Sequence, residues 1–253
     1  MITFVGAGPG AKDLITVRGM RVLEQADVIV YAGSLVNPEL LEYAKEEVVV
    51  YNSAHMHLEE IMNVMIQAHK EGKMVARLHT GDPSIYGAIR EQMDILDKQN
   101  IAYDTIPGVS ACFGAASSLN LEYTLPSISQ SLIITRMEGR TSVPTLESIE
   151  SFAKHQASMA IYLSTGMLEE LKNRLVSGGY RLDTPAALVY KATWPDEKVF
   201  VTTLEQLPIV AKENGITKTA IVLVGDVIGN HSYTKSKLYD ADFETEYRKK
   251  REL

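Results

Sequence analysis

The chain has 253 residues, a formal net charge of −7 and 45% hydrophobic residues, which is typical of a globular protein and excludes a disordered one. An acidic protein repels nucleic-acid phosphates, and the only dense basic patch is the run 248–251, so we expect no nucleic-acid partner. The single cysteine, Cys112, excludes an internal disulfide and fits a reducing compartment.

Short apolar runs alternate with amphipathic stretches in the first half of the chain. The runs predict strands at residues 2–5, 28–31, 48–51, 74–78 and 102–106. The amphipathic stretches predict helices from Asp13 to about residue 26 with Asp13 as the cap, at 57–71 ending before Gly72, and at 84–98. This βαβα order predicts an α/β domain with a mostly parallel sheet.

The pattern changes after about residue 115. Strands are predicted at 132–135, 159–164, 187–190, 199–203 and 220–224, with helices only at 146–154, 167–177 and 205–213. Neighbouring strands without a helix between them imply antiparallel pairing, so a second α/β domain with a mixed sheet is predicted. We expect domains at 1–114 and 115–229 and a polar, peripheral tail at 230–253.

Membrane and export signals are weak. No apolar run reaches the roughly 18 residues that cross a bilayer, and residues 1–5 lead directly into a glycine loop without the charged start of a signal peptide. A cytoplasmic protein without a membrane partner is expected.

Three glycine-containing loops follow predicted strands. They have the sequences GAGPG at 6–10, HTGDPSIYG at 79–87 and IPGVSA at 106–111. Glycine lets a backbone turn tightly and approach a ligand closely. Ligands of open α/β sheets bind outside the carboxyl ends of strands, so the three loops together predict a binding site.

Parts of the sequence are compatible with two other ligands, a dinucleotide and a metal ion. The spacing of Gly6, Gly8 and Ala11 fits a dinucleotide fingerprint, but Pro9 removes a backbone donor and no acidic residue follows the strand at 28–31. An NAD-dependent oxidoreductase therefore remains a rival that rests on one loop. Because His55 and His57 would face different sides of a helix, we expect a helix start there and no metal site.

The three loops, in this order and spacing, resemble the tetrapyrrole (corrin/porphyrin) methyltransferase superfamily over about residues 1–228. Within it, the similarity is greatest to the enzymes that methylate C11 of precorrin-4 or cobalt-precorrin-4. That similarity rests on MHLEE at 56–60, HTGDP at 79–83, TRMEGRT at 135–141 and VYKATWPDE at 189–197. The chain departs from the family at Ala11-Lys12, where Asp-Pro is frequent.

The resemblance implies a homodimeric, S-adenosylmethionine-dependent C-methyltransferase of cobalamin synthesis, with the methyl donor in a cleft between two α/β domains. It implies donor contacts, carried over by position, at Pro9, Thr80, Gly81, Asp82, Ile85, Ser110, Ala111, Leu163, Ala192 and Ala220. A sister enzyme acting at another ring carbon, or a non-catalytic tetrapyrrole-binding protein, are the alternatives.

The implied chemistry asks little of the side chains. The donor carries an activated methyl group, so the protein supplies position and a dry site and no covalent nucleophile is expected. A base could remove the released proton, with His79, Tyr86, Arg136 and Glu138 as candidates.

The acidic arms of a tetrapyrrole call for local cations. Arg136, Arg140 and Lys191 are the candidates for binding its carboxylates. Alternatively, Arg136, Glu138 and Arg140 form a surface ion-pair cluster.

Overall fold

The structure is a computed structural model that describes residues 1–229 and 232–250. The chain divides into two compact units, which are Met1–Ser118 with Tyr190–Lys198 (unit 1) and Leu119–Val189 with Val199–Leu253 (unit 2). The predicted boundary at residue 114 lies shortly before this division. Residues 190–198, predicted in the second domain, pack with unit 1.

Unit 1 is a parallel sheet covered by helices on both faces. Its strands are β1 (Ile2–Gly6), β2 (Val28–Tyr31), β3 (Val49–Asn52), β4 (Val75–His79) and β5 (Tyr103–Ile106), in the order β3-β2-β4-β1-β5. All four neighbouring pairs are parallel, which confirms the predicted parallel sheet. Its helices are α1 (Val17–Gln25), α2 (Leu58–Lys70), α3 (Arg90–Lys98) and α4 (Ala111–Ser118).

Alternate residues of the strands enter two separate cores, as the two-residue period of a strand requires. On one face Phe4 packs with residues of α2 and α3, and on the other Val5 packs with residues of α1 and the turn Pro38–Tyr43. The connections that follow β1 and β4 therefore lie on opposite faces of the sheet. Because β1 and β4 are neighbours, the topological switch point, where such sheets bind ligands, falls between them.

Three predictions of local structure in unit 1 were wrong or incomplete. Asp13 does not cap α1, because Thr16 accepts a hydrogen bond from Gly19 N at 3.1 Å and the helix begins at Val17. The helix predicted from residue 84 begins only at Arg90, since Tyr86 and Ala88 have φ angles of 55° and 49° that a right-handed helix cannot contain. Helix α4 was not predicted because its sequence of small residues has no amphipathic period.

Unit 2 contains a mixed sheet. Its strands are β6 (Leu132–Arg136), β7 (Ser158–Tyr162), β8 (Pro185–Tyr190), β9 (Lys198–Thr203) and β10 (Ala220–Val224), in the order β6-β7-β10-β8-β9. The β6–β7 pair is parallel and the β7–β10 pair antiparallel, which confirms the prediction of a mixed sheet. Its helices are α5 (Ile149–Ala153), α6 (Leu168–Ser177) and α7 (Leu207–Glu213).

Residues 232–250 are mostly exposed and contain one short 3-10 turn, Lys237–Tyr239. Arg248 holds this turn by donating from Nη2 to the carbonyl oxygens of Leu238 and Asp240, each at 2.8 Å. Among the helices of the described residues, none is long and apolar enough to span a bilayer.

Candidate functional site

The loops that follow β1 and β4 are joined by a pair of backbone hydrogen bonds. Gly81 N donates to Gly8 O at 2.8 Å, and Gly8 N donates to Gly81 O at 3.2 Å. Both residues have positive φ angles, of 80° and 59°, which glycine adopts without steric cost. Two of the three predicted loops therefore meet at the switch point of the sheet.

The loop after β5 packs directly against these two. A Cβ atom added to Gly108 would lie 2.1 Å from the carbonyl oxygen of Gly81, and one added to Gly6 would lie 2.6 Å from Cα of Gly108. No side chain fits at either position, so the three backbones approach as closely as glycine allows.

Asp82 ties the same loops together with its carboxylate. Its Oδ2 accepts from Gly108 N at 2.9 Å, and its Oδ1 accepts from the amide nitrogen of Ser84 at 2.9 Å and from the Ser84 hydroxyl. Burial opposes ionisation here, but these hydrogen bonds outweigh it and hold the pKa of Asp82 below its ordinary value. Asp82 thus orders the turn at which it was predicted to contact a cofactor.

The segment Tyr190–Lys198 covers the first glycine loop. Trp194 Nε1 donates to the Pro9 carbonyl at 3.1 Å, and Thr193 Oγ1 accepts from Ala11 N at 3.0 Å. A Cβ on Gly10 would lie 2.1 Å from Cδ1 of Trp194, so the indole ring packs directly on the loop. This contact fixes the backbone at Pro9.

Polar residues that the sequence did not single out hold this segment and loop in place. The Glu197 carboxylate accepts from Thr193 N and, at 2.7 Å, from the hydroxyl of Ser118. Asn37 Nδ2 donates to the Gly10 carbonyl at 3.0 Å. The run at 189–197 signalled the segment, but no local pattern connects Asn37 to the glycine loop.

Lys191, predicted to bind substrate, has partners inside the segment. Its Nζ forms an ion pair with Asp196 at 2.6 Å and lies 5.2 Å from the centre of the Trp194 ring. The pKa of Lys191 is raised, chiefly by the hydrogen bond to Asp196, so the side chain stays cationic. In this position Lys191 supports Trp194.

Arg77 is a buried cation on β4. It is 5% exposed, and it donates from Nε to Gln92 Oε1 at 3.1 Å and from Nη1 to Val30 O at 3.1 Å and Ser53 Oγ at 3.2 Å. Burial lowers the pKa of Arg77 to about 10, which leaves it charged at neutral pH. Sequence reasoning missed this residue, although one cation inside the apolar strand at 74–78 was a usable signal.

His79 lies two residues further along the same strand. It is 5% exposed, and its Nε2 has no hydrogen-bond partner among residues 1–229 and 232–250. Burial, with a smaller contribution from the charge of Arg77, lowers the pKa of His79 to about 3. The imidazole is therefore neutral and a poor base, which argues against His79 as the catalytic base.

In unit 2 the candidate residues of the segment 135–141 are bound to their own surroundings. Arg136 donates from Nη1 to the carbonyls of Met137 and Thr141 and from Nη2 to that of Ser142, at 2.9–3.2 Å. Glu138 accepts from Arg174 Nη1 at 2.9 Å. Arg140 is exposed. The alternative cluster of Arg136, Glu138 and Arg140 is not formed among the described residues, because Glu138 pairs with Arg174 instead.

Leu163 and Ala220 lie at the same end of two neighbouring strands of the unit 2 sheet, β7 and β10. Leu163 follows β7, has a φ of 53° and is 65% exposed. Ala220 starts β10, which runs antiparallel to β7, and its carbonyl accepts from Thr165 Oγ1 at 2.9 Å. The structure brings these two predicted contacts close together within unit 2.

Known proteins match the chain over nearly its full length. A family model described as tetrapyrrole (corrin/porphyrin) methylases matches residues 1–208. The chain belongs to the tetrapyrrole methylase family. Cobalt-precorrin-4 C(11)-methyltransferase of Methanocaldococcus jannaschii is 54% identical over 98% of this chain and 96% of its own length. Precorrin-4 C(11)-methyltransferase of Pseudomonas aeruginosa is 44% identical over 98% of each chain.

A solved structure agrees with these relatives. The X-ray structure of cobalt precorrin-4 methyltransferase, described as a cobalamin biosynthetic enzyme, superposes with a TM-score of 0.88 at 44% identity, covering 90% of this chain and 96% of the other. The resemblance and the two-domain α/β fold class predicted from sequence are confirmed. The methylase family also replaces the dinucleotide-binding interpretation of the glycine loop.

Most of the predicted donor contacts lie at one edge of unit 1, on the three glycine-containing loops and the segment Tyr190–Lys198. Pro9, Gly81, Asp82, Ser110 and Ala192 lie on the three loops and the segment that covers them. The other predicted contacts in this unit are Thr80, Ile85 and Ala111.

No group of three or more His, Cys, Asp or Glu side chains suited to a metal is present in the described part of the chain. His57 is the N-cap of α2, and its backbone N–H donates to Glu60 Oε2 at 3.0 Å.

Proposed function

We propose that this tetrapyrrole methylase transfers the methyl group of S-adenosylmethionine to C11 of cobalt-precorrin-4 in cobalamin synthesis. The proposal rests on the 54% identity, over 98% of the chain, to a relative named for that reaction. That relative carries cobalt in its name, which favours the cobalt complex as substrate over the metal-free ring.

The strand-end loops of unit 1 fit a methyl donor that is held by backbone groups. The close backbone contacts at Gly6 and Gly108 leave no room for a Cβ, and the neighbouring positions Ser110 and Ala111 are small. When bound, S-adenosylmethionine supplies a sulfonium methyl group that an electron-rich ring carbon can attack. We assign Pro9, Thr80, Gly81, Asp82, Ile85, Ser110, Ala111 and Ala192 in unit 1, and Leu163 and Ala220 in unit 2, to binding this donor.

The residues of the site orient the reactants and exclude water, and they form no covalent intermediate with the methyl group. Trp194 and Asp82 fix the two turns from which the donor would be held. When the reactive group is carried by the co-substrate, holding the reactants in a fixed orientation accounts for much of the rate enhancement.

The surroundings of three of the four candidate residues argue against their acting as the base. His79 is neutral with a low pKa, the guanidinium of Arg136 is bound to three backbone carbonyls, and Glu138 is paired with Arg174. Tyr86 is 46% exposed on the turn after β4 and lines the cavity beside it. Tyr86 is therefore the candidate that these observations do not argue against, and its replacement by Phe would test it.

We also propose that the protein is a cytoplasmic homodimer. The edge strands β3 and β9 carry exposed apolar side chains, among them Val49, Val50 and Tyr51 on β3 and Val199 and Val201 on β9. Exposed apolar edges of this kind favour association. Light scattering after size-exclusion chromatography would give a dimer mass, and a monomer at micromolar concentration would contradict the proposal.

The decisive experiment uses methyl-labelled S-adenosylmethionine with cobalt-precorrin-4 and, in parallel, with precorrin-4. We expect labelled product with the new methyl at C11 by NMR, and faster transfer to the cobalt complex. Transfer to another carbon would identify a sister enzyme, and pigment retained without label would identify a binding protein. A reaction without protein and one with boiled protein are the controls.

A further inference from the structure

A cavity of about 270 Å³ lies within unit 1, beside the turn that follows β4. We call it the Arg77 cavity. Its walls are β4, the turn that follows β4, the loop that follows β2 and the first turns of α2 and α3. Among the lining residues are Ala32, Arg77, His79, Thr80, Ile85 and Glu91.

The cavity contains a buried charge that the protein does not neutralise. The partners of the Arg77 guanidinium are the amide oxygen of Gln92, the carbonyl of Val30 and the hydroxyl of Ser53, all of which are uncharged. No salt bridge to Arg77 is found where the structure is described. A buried cation is stabilised by an anion in contact with it, so the cavity favours an anionic occupant.

His79 adds an unpaired polar atom to the same wall. Buried polar atoms are nearly always hydrogen-bonded, yet Nε2 of His79 has no partner in the described residues. As the Nε2–H tautomer, the neutral imidazole can donate one hydrogen bond to an anion. The one carboxylate of the lining, Glu91, is an exposed residue on the first turn of α3, where solvent screens its charge.

The volume limits what can enter. It equals about nine times the roughly 30 Å³ that a water molecule takes in the liquid. It also lies below the roughly 300–1,000 Å³ of pockets that enclose whole drug-sized ligands. An acetate or propionate group fits in this volume, which is smaller than that of pockets enclosing a whole ligand.

We infer that the Arg77 cavity binds one carboxylate of a ligand held at the neighbouring turn, with Arg77 and His79 as the residues that contact it. The inference rests on the proposed function, which brings two carboxylate-bearing molecules to this turn. One source is an acidic arm of the tetrapyrrole, and the other is the amino-acid end of the methyl donor. Thr80 and Ile85 belong both to the cavity and to the assigned donor contacts.

The test replaces Arg77 by Met, which removes the charge and keeps the length, and by Lys, which keeps the charge. Binding of uroporphyrin, a stable tetrapyrrole octacarboxylate, is measured by fluorescence, and binding of S-adenosylhomocysteine by calorimetry. For Arg77→Met we expect the affinity for one of the two ligands to fall by roughly 30-fold or more, with partial recovery in Arg77→Lys. Arg90→Met is the matched control, because exposed Arg90 on α3 does not line the cavity.

A second variant keeps the test decisive if Arg77→Met does not fold. Ala32→Leu adds bulk to the lining and leaves Arg77 intact, and far-ultraviolet circular dichroism checks the fold of each variant. A loss confined to uroporphyrin assigns the cavity to a tetrapyrrole arm, and a loss for S-adenosylhomocysteine assigns it to the donor. Affinities within twofold of wild type for both ligands, in folded variants, would overturn the inference.

These measurements do not depend on turnover. If the wild-type protein failed to methylate cobalt-precorrin-4 but bound the two probes with the expected sensitivity to Arg77, the proposed reaction would be wrong and the cavity assignment would stand.

Discussion

The contact between the loops after β4 and β5 predicts an unusually costly glycine substitution. In Gly108→Ala the new Cβ would lie 2.1 Å from the carbonyl oxygen of Gly81 and 2.9 Å from Cα of Gly6. Non-bonded heavy atoms prefer a separation of about 3.5 Å or more, so two backbone segments must move apart by over about 1 Å. Overpacking costs about 1–3 kcal/mol, and the bond from Gly108 N to Asp82 is placed at risk as well. We expect destabilisation by about 3 kcal/mol or more.

Gly72→Ala is the matched control, since it adds the same methyl group elsewhere in unit 1. Gly72 has a φ of 77° but no atom within 4 Å of its added Cβ, so only the left-handed conformation is penalised, by about 1–2 kcal/mol. Urea unfolding would measure both variants, and calorimetry would measure their affinity for S-adenosylhomocysteine. Gly108→Ala should lose stability and affinity, whereas Gly72→Ala should keep its affinity. Equal stability of the two variants with unchanged affinity would refute the reasoning.

Three further changes test the site. The folded pKa of His79, about 3, lies below the ordinary value of 6.5, so between these values only the unfolded chain takes up this proton as the pH falls. The free energy of unfolding should therefore decline below about pH 6.5 by up to about 1.4 kcal/mol per pH unit. Urea unfolding of His79→Phe should show a smaller dependence of this free energy on pH. Trp194→Phe removes the hydrogen bond to Pro9, and we expect a loss of about 1 kcal/mol and weaker S-adenosylhomocysteine binding in calorimetry. Asp82→Asn should weaken the same binding because the amide cannot replace both carboxylate oxygens that tie the turn to Gly108 and Ser84. Because the pKa of Asp82 is lowered in the fold, the stability difference from wild type should start to shrink below about pH 4, where the unfolded chain takes up the proton, and vanish only below the folded pKa; a difference that stays constant as the pH falls would count against the role given to its charge.

The sequence predicted the order of elements because their signals are local. Alternating apolar strands and amphipathic helices are recognisable within a few residues, and the glycine loops mark the strand ends. The start of α3 could not be predicted, since the positive φ of Tyr86 and Ala88 depends on the packing of the turn. Helix α4 carries too few large apolar residues to show a period.

The candidate site was predictable where it consists of backbone, and less so where it depends on side-chain partners. The three loops and Asp82 were found from their sequence motifs. The roles of Arg136 and Lys191 were expected from their charge, but the structure gives both residues partners close in sequence. The cation in the apolar strand at 74–78 marked Arg77 as unusual, but the sequence could not show that its neighbours in the fold, Gln92, Val30 and Ser53, are uncharged.

The contact between Trp194 and the first glycine loop also bears on how the protein is made. The hydrogen bonds from Trp194 to Pro9 and from Ala11 to Thr193 join residues 185 and 182 positions apart in the chain. Contacts of such long range form late, after much of the intervening chain has been ordered. During synthesis the nascent N-terminal unit therefore emerges from the ribosome with its glycine loop uncovered. The glycine loop can therefore reach its covered form only after residue 194 has been translated.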